Sequence, residues 1–230
     1  MMLRSKDHDL DRHAMYREMQ RAIPGLDAMY RLAHALIASH GKKPPQVLVV
    51  GAGGGREIEE FRNSGAIGGI RAIDPSAGNL EMARAVASVS GASPEVDFIV
   101  GTAEDLPDGV TFDVVTSLLV MHHLPDDGTK LEYLKGLRNR LAPGGHLIHA
   151  DVCFEESAEF YNRIPAFLAH AKILGVSAEA TRLELDAIPQ LPIVSGDRTM
   201  TLFSEAGLTE PQEVFRTLWY RCWVSTGGQT

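Results

Sequence analysis

The chain has 230 residues, a formal net charge of −8 and 44% hydrophobic residues, the composition of a soluble globular domain. That charge tilts against a broad basic face for nucleic acid, no apolar run is long enough to span a bilayer, and the N-terminus lacks the apolar core of a secretory leader, so a cytoplasmic protein is expected. Cys153 and Cys222 have neither metal-ligand nor disulfide-framework spacing, which predicts buried thiols and no metal centre.

Residues 1–12 are charged and read as a frayed end. From about His13 to His40 the spacing is helical: Met15, Met19 and Ile23 make one stripe, Pro24–Gly25 interrupts, and Leu26, Met29, Tyr30, Ala33, Leu36 and Ile37 make a second. Gly41 and Pro44–Pro45 end that segment, so residues 1–45 read as an N-terminal helical cap and 46–230 as the main domain. Val47–Val50, an apolar β-branched run, then enters Gly51-Ala52-Gly53-Gly54-Gly55. This predicts a buried strand, a tight turn and a helix N-terminus, where backbone N–H groups can approach a ligand closely. Strand–helix junctions also use such glycines for packing alone.

Helix follows from Glu57 to about Ser64, then a glycine-rich return loop and a strand at Ile70–Ile73 ending in Asp74–Pro75. A helix from about Gly78 to Val89 precedes strands at Val96–Val100 and Phe112–Ser117, the latter ending near Leu118–Leu119. The next helix is expected from Thr129 to Leu141, with Pro143–Gly144–Gly145 leading into a fifth strand, His146–Asp151. His146 and His149 are expected to share one face of that strand in packed roles. A helical insertion occupies about 152–195, with Phe160, Ile164, Phe167, Leu168 and Ile173 on its apolar stripe, and Pro189 and Pro192 mark a loop. Thr199–Ala206 reads as a helix closed by Gly207. Glu213–Val224 suits one terminal strand whose aromatics pack on a helix or on a partner subunit, which makes a homodimer one expected assembly.

Strands alternating with helices at these separations predict βαβ units and a mostly parallel sheet. Ligands of such sheets sit beyond the carboxyl ends of the strands. That rule gathers the glycine turn, Asp74, Ala103–Glu104 and Ser117–Leu119 into one site. Asp74 stands 23 residues after Gly51, where a carboxylate can accept from both hydroxyls of a ribose, and a turn or N-cap role is the alternative. The pair points to a nucleoside-containing ligand. A dinucleotide pattern would need glycine at position 56, where Arg56 stands.

Five motifs in order across roughly residues 46–151, VLVVGAGGG, RAIDPS, VGTAEDLP, FDVVTSLLVMHHL and RLAPGGHLI, resemble those of the class I S-adenosylmethionine-dependent methyltransferases. The resemblance implies an α/β, Rossmann-like, seven-stranded and mostly parallel sheet with helices on both faces, closed by an antiparallel hairpin. It implies S-adenosylmethionine as methyl donor and S-adenosylhomocysteine as product. Gly51, Ala52 and Gly53 would face the methionyl part, Asp74 the ribose with Pro75 close by, and Ala103 and Glu104 the adenine, while Leu118 would cover the sulfonium side. The family usually carries an acid two residues before the first glycine. Here Val49 stands there, so contacts to the methionyl ammonium fall to backbone carbonyls or the N-terminal helices.

His122 and His123 follow the fourth strand, where an acceptor would sit, and are candidate general bases, although the family also carries such pairs without using them so. The acceptor is expected to be a small molecule methylated on oxygen, nitrogen or carbon, with Tyr16, Arg21, Tyr161 and Arg182 as candidate substrate or lid residues. The ends of the chain, Arg21–Leu26 and Glu205–Leu208, resemble a narrower group that makes carboxy-S-adenosylmethionine for tRNA wobble-uridine modification. That group's extra carboxylate is held by an arginine after the fifth strand, for which Arg182 is the nearest candidate. Carboxy-cofactor synthesis is therefore one alternative. A non-catalytic cofactor-binding module, kept open by Val49, is another.

Overall fold

The computed structural model describes residues 14–41, 43–62, 64–88 and 94–228, so the expected frayed end and Val89 lie outside the described residues. A helix over 14–21 (α1) and α2 (Leu26–Ala38) precede β1 (Gln46–Val50), α3 (Arg56–Phe61), β2 (Gly69–Asp74), α4 (Ala77–Ser88), β3 (Val96–Val100) and β4 (Phe112–Leu118). Then come α5 (Thr129–Asn139), β5 (Leu141–Val152), α6 (Ser157–Ile173), α7 (Ala178–Ala187), α8 (Gly196–Glu205), β6 (Gln212–Thr217) and β7 (Tyr220–Thr226). The sheet runs β3-β2-β1-β4-β5-β7-β6. It is parallel from β3 to β5 and antiparallel at β5–β7 and β7–β6. This is the seven-stranded architecture that the motifs imply. Strand order reverses between β1 and β4, so a crevice opens beyond their carboxyl ends.

Burial on both faces explains why β1 is an unbroken apolar run. Val47 and Val49 pack with Leu26, Met29, Tyr30 and Ile37 of α2, whereas Leu48 and Val50 pack with Leu134 and Leu137 of α5 and Leu202 and Phe203 of α8. Each such side chain taken from water contributes roughly 1.5–3 kcal/mol. Among the described residues no helix is long and apolar enough to cross a membrane.

The structure departs from the sequence reading in three places. β5 begins at Leu141, directly after α5, and the Pro143–Gly145 stretch bulges: Phe112 pairs with Leu141 but Val114 with His146. The terminal stretch forms two strands rather than one, reversing at Leu218–Trp219 with Leu218 at φ 45°. His146 and His149 lie on opposite faces, because residues three apart in a strand of period two must. His146 meets His40 of the α2 side, whereas His149 packs against Phe203 of α8 at 5.5 Å between ring centroids.

Arg140, after α5, fixes the loop that follows β3. It is 8% exposed, and its guanidinium donates to the carbonyls of Ala103 (2.9 Å), Pro107 (2.8 Å) and Leu106 (2.8 Å). The Pro107 carbonyl also accepts the Val110 N–H at 3.3 Å, whereas those of Ala103 and Leu106 have no other described side-chain donor, and unpaired buried carbonyls are costly. Arg140→Ala is therefore expected to destabilise the fold by about 3 kcal/mol in denaturant unfolding, and Arg140→Lys to recover only part of it.

Candidate active site

The turn after β1 needs three left-handed residues, Gly51 (φ 71°), Gly53 (φ 50°) and Gly55 (φ 82°), which glycine adopts without strain. A Cβ on Gly51 would lie 2.5 Å from a Val120 methyl, and one on Gly55 2.9 Å from the Ala83 Cα, so packing alone demands these two. Gly53 differs. A Cβ there would meet nothing nearer than the Gly51 carbonyl oxygen at 3.7 Å, so its backbone faces open space.

Asp74 holds this turn. Its Oδ2 accepts from the Gly53 N–H (2.8 Å), and its Oδ1 accepts from the Ser76 N–H (2.8 Å) and the Asn79 amide (3.2 Å). The turn-capping role is thus real, while a carboxylate offers about four lone-pair sites, so Asp74 keeps capacity for a further donor. Pro75 beside it is exposed. Ala103 is buried in a short turn whose carbonyl Arg140 anchors, and Glu104 is exposed on its rim.

A cavity of about 600 Å³ opens at the carboxyl ends of β4 and β5. Met15, Tyr16 and Met19 of α1 and Leu183 of α7 form one side, and Leu119, Val152 and Tyr220 at the strand ends form the other. Leu119 has φ 65°, a conformation rare for a bulky residue and one that clusters at functional sites. The side chain of Leu118 is buried in the core, so the cavity position belongs to its neighbour.

His122 and His123 both line this cavity. Asp151, 3% exposed on β5, binds His122 Nδ1 and also accepts the His122 backbone N–H at 3.2 Å. Burial opposes the Asp151 charge, yet the facing His122, His149 and Lys130 hold its carboxyl below the usual range. In a neutral imidazole a carboxylate at Nδ1 favours the Nδ1–H tautomer, in which Nε2 is the acceptor. Lys130 sits behind, its Nζ donating to the Met121 carbonyl at 2.7 Å. Burial drives His149 down to about 4, so it stays neutral. On the far side of the cavity Glu184 accepts from Trp219 Nε1 (2.9 Å) and from the Tyr220 hydroxyl, and burial pushes its carboxyl up.

Of the four substrate or lid candidates, Tyr16 lines the cavity. Arg21 is exposed and reaches the Leu174 carbonyl at 3.5 Å, and Tyr161 is 58% exposed on α6. Arg182 is exposed on α7, where its neighbours Glu179 and Leu183 meet the cavity instead.

The sequence reading passed over Asp151 as a strand end and Glu57 as a plain helical residue. The signal for Glu57 was available: an acid directly beside Ile58 after the glycine run, in a chain that lacks one at Val49. Glu57 is 3% exposed, and burial, against the pull of Arg56 and with the push of Asp74, raises it to about 8. A raised carboxyl makes the native state bind the extra proton, so its stabilisation is complete below about 4.5 and is lost as pH rises through about 8. The thermal midpoint is expected to fall across that window, and Glu57→Gln to flatten the fall, in melts followed by circular dichroism.

Residues 47–145 match the family described as methyltransferase domain. The chain is 28% identical over 153 residues to the ubiquinone biosynthesis O-methyltransferase of Vibrio parahaemolyticus, covering 66% of this chain and 60% of that protein, so it spans less than two thirds of that relative's length. It is 32% identical over 106 residues to the tRNA U34 carboxymethyltransferase of Tolumonas auensis, covering 46% of this chain and 31% of that one. Among solved structures, the N-methyltransferase NodS of Bradyrhizobium japonicum, in complex with S-adenosyl-L-homocysteine, superposes with a TM-score of 0.63 at 14% identity over 94% of this chain and 98% of its own. The methyltransferase-domain match runs from β1 into β5, and together with the strand order and the sequence of the motifs it makes the chain similar to the class I S-adenosylmethionine-dependent methyltransferases.

Proposed function

We propose that the protein transfers a methyl group from S-adenosylmethionine to a hydroxyl oxygen of an apolar small molecule, with His122 as general base and Asp151 as its positioning partner. The observation that carries this reading is the buried His122–Asp151 pair at the wall of an apolar cavity that opens at the carboxyl ends of β4 and β5.

The residues present fit the cofactor. Gly53 offers an open backbone, with Gly51 and Ala52 beside it, for the methionyl arm. Asp74 keeps lone pairs for the ribose hydroxyls, next to Pro75. The Ala103–Glu104 turn, held by Arg140, suits an adenine edge. When bound, the cofactor supplies a methyl group on a sulfonium, ready for in-line displacement.

The chain's own residues orient the acceptor and manage its proton. The α1 side of the cavity, with Met15, Tyr16 and Met19, and the 152–195 region, with Leu183 and Ile188, close over the acceptor and exclude water. His122 Nε2 takes the hydroxyl proton as the oxygen attacks, and the Asp151 carboxylate stabilises the imidazolium that forms. An amine with a free lone pair needs no such base, which favours oxygen. The resemblance to an O-methyltransferase supports the same atom. Carboxy-cofactor synthesis, by contrast, finds no arginine at the cavity among the described residues, since Arg182 is exposed and absent from its lining.

With a panel of phenols and amines, turnover is expected on phenols. His122→Asn should lower kcat by about 10²–10⁴-fold while leaving S-adenosylhomocysteine affinity unchanged. Wild-type turnover by that variant would refute the base assignment. Asp74→Ala should weaken S-adenosylhomocysteine binding about tenfold or more in calorimetry, and unchanged affinity would refute the ribose assignment.

A further inference from the structure

An ammonium group carried out of water needs an anionic or carbonyl partner, because an unpaired charge is costly there. Val49, 0% exposed within the apolar core, offers no side-chain partner at the glycine turn. Glu57 is the second residue of α3, directly after the turn. It is 3% exposed, and among the described residues its Oε1 has no hydrogen-bond partner.

The groups around Glu57 leave it without a cation. Arg56 of its own helix is committed to Asp27 and Glu59 and stacks 4.8 Å over the Tyr30 ring, and Arg17 of α1 binds Glu59. Asp74 at the end of β2 is anionic and opposes it. Tyr30 of α2, Tyr16 of α1 and Tyr133 of α5 are neutral: burial pushes their hydroxyls upward, and the Glu57 charge adds to it in all three. Tyr16 lines the cavity, and the Tyr133 hydroxyl meets Ser117 Oγ of β4 at 2.7 Å. Glu57 follows Gly55 by two residues, and its charge acts on Asp74, which accepts the Gly53 N–H of the glycine turn, and on Tyr16, which lines the cavity.

We propose that Glu57 is the counter-ion of the cofactor's α-ammonium, taking from one turn further along the chain the role that Val49 cannot fill. This rests on S-adenosylmethionine being the cofactor. Without the ammonium, burial holds the Glu57 carboxyl up at about 8. Pairing favours the carboxylate, so binding releases a proton below that pH, and affinity falls by up to about tenfold for each pH unit below it.

The test is calorimetry on the full chain with three ligands. S-adenosylhomocysteine carries both ammonium and carboxylate, its deaminated analogue keeps only the carboxylate, and 5′-methylthioadenosine lacks the arm. Glu57→Gln is expected to weaken S-adenosylhomocysteine at least about tenfold, and to change the other two less than about twofold. Equal losses for all three would make Glu57 a structural residue, and no loss for S-adenosylhomocysteine would remove it from the site. Either result overturns the proposal while leaving the cofactor assignment intact. Failure of the wild type to bind any of the three would instead sink that assignment, and the proposal with it. If Glu57→Gln does not fold, the wild type decides: S-adenosylhomocysteine affinity must climb with pH towards about 8 while that of the deaminated analogue does not, and parallel pH courses overturn the proposal.

Discussion

The fold of the site depends on one short set of contacts between the turn after β1 and the end of β2. The Gly51 and Ala52 N–H groups donate to the Ile73 carbonyl at 2.9 and 3.0 Å, and Gly53 donates to Asp74. With the turn pinned there, the missing side chain of Gly51 leaves a seat for Val120. Val120 in that seat sets the chain leaving β4: Leu119 is forced to positive φ, and His122 arrives opposite Asp151 on the adjacent strand. Any side chain on Gly51 would disturb the glycine turn and the His122–Asp151 pair at once. This coupling explains why chemistry far apart in sequence occupies one crevice.

The buried charges of the protein are handled in different ways. Arg140 spreads its charge over loop carbonyls, Lys130 uses one carbonyl, Asp151 a histidine, and Glu184 an indole and a phenol. Each is matched by donors or acceptors of its own chain, as the low internal dielectric requires. Glu57 stands apart because its Oε1 has no such match among the described residues. Its position beside the turn, rather than its charge alone, gives that exception meaning.

Much of this was legible in the sequence, and the failures have physical causes. An unbroken apolar run identified β1, which is buried along its length, and short β-branched runs around Arg71, Asp97 and Asp113 identified β2, β3 and β4. The start of β5 was hidden by Pro143–Gly144–Gly145, which reads as a loop but bulges within a strand. The final hairpin turns at Leu218–Trp219 without the glycine or asparagine that normally marks a reversal, so two strands looked like one. Amphipathic spacing located α6 within the insertion but neither α7 as a separate helix nor which side faces the cavity, and Tyr161 and Arg182 fell on the outside. The partnership of His122 with Asp151 crosses from β4 to β5 and has no local signature at all.

The anchorage of α1 decides how the cavity can open. On the insertion side, the Ser177 N–H donates to Glu18 at 2.8 Å and His170 Nδ1 donates to the Ala22 carbonyl at 2.9 Å, so α1 is tied to α6 and α7 through backbone groups. On the glycine-turn side the tie named by side chains is Arg17 with Glu59, whose side chains are 25% and 37% exposed. All three contacts are half-buried, but an ion pair is screened by salt whereas the hydrogen bonds that involve backbone are not. In salt the seam over α3 is thus the first to loosen. The wall of the cavity formed by α1 then travels with the insertion as a single shutter that unlatches over α3.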